Sequence, residues 1–588
     1  MILSDIFHSY TAVVAPDSGW TLKTDCEATA DGIGLIHLHF VAEQPTIPPK
    51  TEIAWSFPQQ DITNRWTPVD IYNKALPPDW YSAVDSNLAD GAPVVVFFNT
   101  QGQNRIAVAV EEAMRPVRIE AGYNEEKNVV LFKVILFSSP EAPLTEYHAT
   151  IRIDLRDLFY ADVIRGMTEW FAAMEKYTPG TIPSCAFDAI YSTWYSYHQN
   201  LSAGQLEAEY ALAAKADLRG VIVDDGWQTD DNNRGYAFCG DWEVAKRRFP
   251  DMRQHVSETH KLGLKYMLWY SVPFVGYKSK NHSRFAGKYL FDFDQLNASV
   301  LDPRFPEVRE FLINTYETAV KEWDLDGFKL DFIDSFRFDN GVDPAVAENY
   351  AGRDIKSLPL AVDALLSEVV NRLRRLKPEI LIEFRQRYIG PAIRKYGNMF
   401  RAGDCPADIV TNRFRTIDLR LLSGSTAVHS DMLEWNMDTP VESAALQILN
   451  ILFSVPQISI RFAELPEDHR KMLQFWLDFA KDHKDVLLKG KLTPYHPELN
   501  YPLVCAENNA EQVVAVYCSG QVIKVGGVQK TCFVINATGE REMILDLAVA
   551  PSKTALFDVT GKQMADPVLQ SGLNRIEIPC SGLLQIGF

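Results

Sequence analysis

The stretch DGFKLDF (326–332) is a short apolar run that ends on a carboxylate, with Lys329 two residues before Asp331. In a β-strand, residues two apart point to the same side, so this run puts an amine and an acid side by side at a strand end. Taken alone, such a pair could be a buried ion pair that only fixes the fold. Seven further runs of the same kind surround it: FDAIYSTW (187–194), GVIVDD (220–225), KYMLWYS (265–271), ILIEF (380–384), NMFRAGD (398–404), STAVHSD (425–431) and PQISI (456–460). Long amphipathic helical segments separate them, which is the alternation of parallel βα units. Eight units in roughly 300 residues match a closed (β/α)8 TIM-like barrel, the fold whose reactive groups gather at strand ends.

The flanks read differently. From the start to about residue 160, runs such as IGLIHLHF (33–40), RIAVAV (105–110) and ATIRIDL (149–155) alternate apolar and polar residues between turn residues. That period predicts an antiparallel β-sandwich over 1–165. A helical pattern at 161–177 and the Pro-Gly punctuation of TPGTIPS make 166–183 a linker, and the barrel then runs over 184–488. Short strands return over 489–588, including EQVVAVYC (511–518) and TCFVIN (531–536), and predict a small C-terminal β-sandwich.

Composition excludes several classes of function. Of 588 residues, 47% are hydrophobic and 23% charged, which is the make-up of an ordered chain. The balance of 58 Lys and Arg against 77 Asp and Glu leaves a charge of −19, unfavourable for nucleic acid or anionic lipid. No apolar run reaches the roughly 20 residues of a membrane span. The N-terminus, with Asp5, His8, Ser9 and Tyr10, lacks the pattern of a secretory signal, so a cytoplasmic location is expected. Eight scattered cysteines without a CxxC pair predict reduced core residues, and neither metal nor cofactor is expected.

The strand ends carry the chemistry. Asp224 and Asp225 are adjacent at the second, followed by Gly226 and Trp227. Such a pair, with no basic neighbour in sequence, is costly unless a ligand or metal satisfies it. The acidic run Asp230, Asp231, Asn232 and Asn233 lacks the spacing of a calcium loop. The sixth strand offers Arg401, Asp404 and Asp408; the seventh offers His429, Asp431 and Trp435; aromatics stand at the first (Trp194, Tyr195) and third (Trp269, Tyr270). Carboxylates mixed with aromatics at one barrel mouth suit a sugar. A retaining glycosidase needs a nucleophile and a general acid/base about 5 to 5.5 Å apart, and Asp331 and Asp404 sit on alternate strands where that separation is feasible. Lys329 would keep Asp331 ionised, whereas Asp404 must be protonated at rest, with its pKa raised by neighbouring acids.

With STWYSY (192–197), VDDGWQ (223–228), GDWEVAKRRFPDM (240–252), GLKYMLWYSVP (263–273), FKLDF (328–332) and RAGDCPAD (401–408) on the page, the chain resembles glycoside hydrolase family 36, the α-galactosidases and related raffinose and stachyose synthases. The resemblance implies an N-terminal β-supersandwich, a catalytic (β/α)8 barrel and a C-terminal β-domain. It implies that Asp331 is the nucleophile and Asp404 the acid/base, that Asp224 and Asp225 hold O4 and O6 of galactose, and that Lys329 binds neighbouring hydroxyls. Trp194, Tyr195 and Trp269 would shape the sugar subsite, Arg401 would contact sugar and orient the acids, and Asp431 would support from behind. Asp408 stands as a reserve acid/base, because the Arg401-to-Asp404 spacing is a residue shorter than in some members. One segment departs from the family. Where many members have a glycine-flanked cysteine after the fifth strand, this chain reads EFRQRY (383–388), and Arg385, Gln386 and Arg387 either line the subsite or pair with Glu383 and the acidic cluster.

The expectation is a retaining α-galactosidase-like enzyme acting on an oligosaccharide or small α-galactoside, with no nucleic acid or membrane partner and self-association into a homo-oligomer left open. Its alternatives are a transglycosylase, a hydrolase of another α-glycoside such as an α-N-acetylgalactosaminide, a non-catalytic carbohydrate-binding protein on the same fold, and a metal-dependent barrel enzyme. Trp66 and Trp80 of the first domain are candidates for reaching into a neighbouring copy's active site, against a default of exposed packing.

Overall fold

The computed structural model describes residues 3–15, 17–68, 72–526 and 530–588. At its centre are eight parallel strands: β1 (Ile190–Ser192), β2 (Gly220–Val223), β3 (Lys265–Ser271), β4 (Gly327–Asp331), β5 (Leu381–Arg385), β6 (Met399–Arg401), β7 (Ala427–His429) and β8 (Gln457–Ile458). Their order is β7-β6-β5-β4-β3-β2-β1-β8, and a parallel bridge from His429 to Val455, just before β8, brings the two edges together. All eight lie within the segments expected from sequence, apart from Arg385, which extends β5 by one residue.

These strands are apolar on both faces because helices cover the outside and side chains fill the inside. Helix Leu358–Leu376 shows the outer half of this: Leu358, Val362, Leu365, Leu366, Val369 and Leu373 recur every three or four residues and are buried as one stripe. Inside, Ile190, Ile222, Met267, Leu381, Met399 and Ala427 form one layer. Gly327 opens β4 where a Cβ would come within 2.5 Å of the Leu381 carbonyl oxygen, so neighbouring strands can close only on a glycine.

The floor of the barrel carries its own charge cluster. Asp326, directly before β4, accepts hydrogen bonds from His260 Nε2 (2.6 Å) and the Tyr266 amide (2.9 Å), with Lys265 and Lys377 each at 3.3 Å. Burial would raise this carboxyl, but His260, the Tyr266 amide and the two lysines outweigh it and hold it well below the usual range. Removing one partner from a buried charged network costs about 3 kcal/mol or more, and the N-terminal face of a barrel bears on stability rather than chemistry. Asp326→Ala should therefore lower stability in urea by about 3 kcal/mol while leaving the activity of the folded fraction unchanged. The contribution of the depressed carboxyl is present above its unfolded pKa and lost as pH falls toward the folded one, so the gap between wild type and variant should narrow in acid.

Before the barrel, a five-stranded and a six-stranded antiparallel sheet face each other. Strand Ile33–Thr46 shows why: Ile36, Leu38 and Phe40 enter the shared core and His37 and His39 point outward. Helix Tyr160–Ala172 spans the boundary placed at 165, so the domain limit read from sequence falls inside a helix that packs on the sandwich and on the barrel. Trp66, expected as exposed packing, is fully buried; its indole donates to Asp418 of barrel helix Ile409–Leu422 at 2.9 Å, where Lys74 (2.6 Å) and Tyr501 (2.5 Å) also meet. One aspartate thus ties all three domains together. Trp80 is exposed. The last domain contains a seven-stranded and a three-stranded sheet around its own core. The strands expected over 501–506, 511–518, 531–536, 542–547 and 583–588 are present, and strands such as Lys491–Tyr495, Val522–Val525 and Gly572–Glu577 were not foreseen. All eight cysteines are free; Cys239, Cys405, Cys505 and Cys532 are buried and Cys518 is exposed. Among the described residues no helix is long and apolar enough to cross a membrane.

Candidate active site

Asp331 ends β4 and is the best-supplied carboxylate at the barrel mouth. Its Oδ1 accepts from Arg385 Nε (2.6 Å), the Tyr388 hydroxyl (3.1 Å) and the Phe332 amide (2.8 Å). Its Oδ2 accepts from Trp269 Nε1 alone (3.0 Å). Burial opposes ionisation, but the charges of Arg385 and Lys329 and the bonds from Trp269 and Arg385 prevail and hold the carboxyl far below the ordinary range. One oxygen is saturated and the other retains a free lone pair.

Lys329, one pleat earlier, turns its Nζ to Asp224 Oδ2 at 2.6 Å. Asp225 is placed differently, with Gln199 on Oδ2 (2.6 Å) and Gln228 on Oδ1 (2.7 Å). Burial first and the Asp224 charge next push the Asp225 carboxyl up to about 6. The cost expected of two adjacent acids is thus met by the protein itself, with a lysine for one and two amides for the other. In the loop that follows, Asp230 pairs with Arg247 and Arg248.

Arg401 ends β6 and is almost completely buried, with Nη1 on Asp431 (2.5 Å) and on the Ala402 carbonyl oxygen (2.9 Å), and Nη2 on Asp404 (2.8 Å). Asp431 is also buried and takes the Tyr195 hydroxyl (2.7 Å) and the Cys405 amide (2.6 Å). Arg401 is therefore a buried brace between two acids rather than a surface offered to a ligand. Asp404 differs from the other acids in that its side chain is 55% exposed. Its pKa departs from expectation: partial desolvation within the barrel mouth raises it, but Arg401, Lys329 and Arg385 together lower it below the usual value. Neighbouring acids were expected to dominate; three cations do instead.

The segment after β5 resolves into separate roles. Arg385 binds Asp331, its guanidinium lying 5.2 Å from the Phe332 ring centre and 5.1 Å from that of Tyr388. Arg387 instead reaches Asp90 of the N-terminal domain at 2.8 Å, and its carbonyl oxygen accepts from the Gly91 amide. Glu383 pairs with neither arginine of the segment; it accepts from Gln457 and lies 3.6 Å from Arg401. Asp408, the reserve acid, is the N-cap of helix Ile409–Leu422, accepting from the Val410 and Thr411 amides and the Thr411 hydroxyl, so its oxygens are committed to the helix end.

Aromatic rings complete the mouth. Trp269 stacks on Tyr236 (5.8 Å between centres, 27°), which meets Phe332 edge-on. Trp194 is half-buried at the end of β1, against His198. Tyr236, Tyr388, Gln199 and Gln228 were not foreseen. Gln228 lies two residues beyond Gly226 inside the quoted VDDGWQ, and Tyr388 closes the quoted EFRQRY, so both were adjacent to the signal; Tyr236 comes from a loop with no sequence mark.

Comparison with known proteins follows this geometry. The melibiase family model matches residues 186–383, from the start of the barrel into β5. Alpha-galactosidase Mel36A of Lactobacillus acidophilus is 29% identical over 153 residues, 24% of this chain and 20% of that protein. Alpha-galactosidase 1 of Pediococcus pentosaceus is 25% identical over 151 residues, with the same two shares. The match thus spans about a fifth of the length of these curated relatives. Among solved structures, a variant of the family 36 alpha-galactosidase AgaA of Geobacillus stearothermophilus, in complex with 1-deoxygalactonojirimycin, superposes with a TM-score of 0.66 at 13% identity, covering 97% of this chain and 81% of that one. The alpha-galactosidase of Lactobacillus brevis gives 0.62 at 11%, covering 98% and 84%. The chain is therefore similar to the melibiases of glycoside hydrolase family 36 in sequence from the start of its barrel into β5 and in fold over nearly its whole length.

Proposed function

We propose that the chain is a retaining α-galactosidase-like glycoside hydrolase that removes terminal α-linked galactose from small galactosides by double displacement. The observation that carries this reading is the asymmetry of Asp331, ionised and held by three donors on one oxygen, with the solvent-facing Asp404 two strands away. Asp331 Oδ2 attacks the anomeric carbon, the glycosidic bond breaks, and Asp404 gives its proton to the departing oxygen. Water then attacks the galactosyl ester, losing a proton to Asp404, and Asp331 leaves as a carboxylate with configuration retained. A nucleophile so well stabilised is a good leaving group in that second step. The Lys329–Asp224 pair and Asp225 face the sugar hydroxyls, Trp269, Trp194 and Tyr195 bound the ring, and Arg401 and Asp431 hold Asp404 and Tyr195 in place. Turnover of an aryl α-galactoside, with the α-glucoside, α-N-acetylgalactosaminide and β-galactoside alongside, tests the proposal. Silence toward the α-galactoside would overturn it, and product analysis with added sugar acceptor separates hydrolysis from transfer.

Arg385 is one of the charges that set the pH at which this works. The productive enzyme has Asp331 ionised and Asp404 protonated, and Arg385 lowers both acids. For a substrate with a poor leaving group, kcat/KM should fall as pH rises through the depressed pKa of Asp404, giving an acid optimum. Arg385→Met removes a charge that favours both carboxylates, so both limbs of the profile should move to higher pH. An unmoved profile would show that Arg385 does not act on the acids.

A further inference from the structure

Far from the barrel mouth, the outer face of the sandwich gathers histidines. The alternation in IGLIHLHF that buries Ile36, Leu38 and Phe40 sends His37 and His39 outward. The neighbouring strand Leu144–Asp154 pairs antiparallel so that His148 stands opposite His39, and Glu146 opposite Val41, one pleat along on the same face. The two imidazoles stack at 4.2 Å between centres and 13° between planes. Both turn Nε2 toward one atom, Glu146 Oε1, at 2.8 Å from His39 and 3.1 Å from His148.

We propose that His39, His148 and Glu146 form a binding site for a divalent transition metal of the zinc, nickel or copper class. Their three ligand atoms lie within 4.8 Å of one another, the one such convergence of histidine, cysteine or acid groups among the described residues. Two imidazole nitrogens and one carboxylate oxygen are the donors zinc takes, with metal–nitrogen distances of about 2.0 to 2.1 Å. Hard cations such as calcium and magnesium select all-oxygen shells instead. The bridging oxygen marks the point at which both nitrogens aim; a metal takes that place when the carboxylate swings aside and the rings tilt. The side chains have the freedom to do this, at 37%, 64% and 58% exposure for His39, His148 and Glu146. The remaining coordination positions face solvent, leaving them to water or to a ligand from another molecule. His37, paired with Glu27 at 3.8 Å, lies one pleat away. The site is not needed for folding, since its two strands are already paired from Ile33 to Val41.

Titration of zinc chloride into the whole 588-residue chain carrying Cys518→Ser, which removes the one exposed thiol, tests the site by calorimetry. One zinc ion per chain is expected. Removing even an outer-shell partner of a metal site costs about 10- to 100-fold in affinity, so His148→Ala and Glu146→Gln should each weaken binding at least tenfold and His39→Ala/His148→Ala should abolish it. Magnesium chloride should neither bind nor compete, and zinc binding should fade in acid as protons compete for the ligands. Glu146→Gln changes only an exposed side chain, so it reports on the site even where a histidine variant fails to fold. No zinc binding by the parent protein, or equal binding by the variants, would overturn the assignment.

Discussion

Asp331→Ala should lower turnover of an aryl α-galactoside by about 10^4-fold or more while leaving the protein folded, because losing a covalent nucleophile removes the reaction path rather than one contact on it. Azide makes this loss diagnostic. In Asp331→Gly the space left by the carboxylate admits a small anion, and Asp404 can still protonate the leaving oxygen. Attack by azide from the nucleophile's side inverts the anomeric carbon once, so the product should be the β-galactosyl azide. Nuclear magnetic resonance of the product reads the configuration directly. Full activity in Asp331→Ala would remove Asp331 from the reaction, and an α-galactosyl azide from Asp331→Gly would mean that attack comes from the other face.

How far the sequence carried this reading depends on range. The barrel was legible because each strand is a short apolar run ending in a polar or aromatic residue, and β1 to β8 all fall where such runs lie, with one residue of overhang at Arg385. Lys329 and Asp331 were legible as a pair because strand geometry is local. What failed was long-range. The choice of Arg385 for Asp331 and of Arg387 for Asp90 of another domain depends on how two loops meet. The lowered pKa of Asp404 depends on three cations from strands β4, β5 and β6, and a linear reading sees its acidic neighbours first. One local signal was also passed over: Asp408, held as a reserve acid, caps the helix that starts at the next residue. Trp66 was read as surface because its partners, Asp418 and Tyr501, are hundreds of residues away.

Asp404→Ala should produce a defect that depends on the substrate, and this dependence distinguishes an acid/base from a binding group. A sugar leaving group departs as an alkoxide unless protonated, so raffinose-type galactosides should lose about 10^2- to 10^4-fold in kcat/KM. A nitrophenolate leaves without help, so kcat/KM for the aryl substrate should fall far less. The second step also loses its base, so the galactosyl ester on Asp331 should accumulate, and a burst of nitrophenol equal to the enzyme should precede slow turnover. Azide should again accelerate the reaction, but now by attacking the ester in place of water, so its product should be the α-galactosyl azide, opposite in configuration to that of Asp331→Gly. The alkaline limb of the pH profile should disappear with the carboxyl, since no proton remains there to lose. Arg401, which holds Asp404 at 2.8 Å, would then be left with Asp431 alone. A uniform loss across sugar and aryl leaving groups, with no burst, would make Asp404 a residue that binds the substrate rather than one that moves its proton.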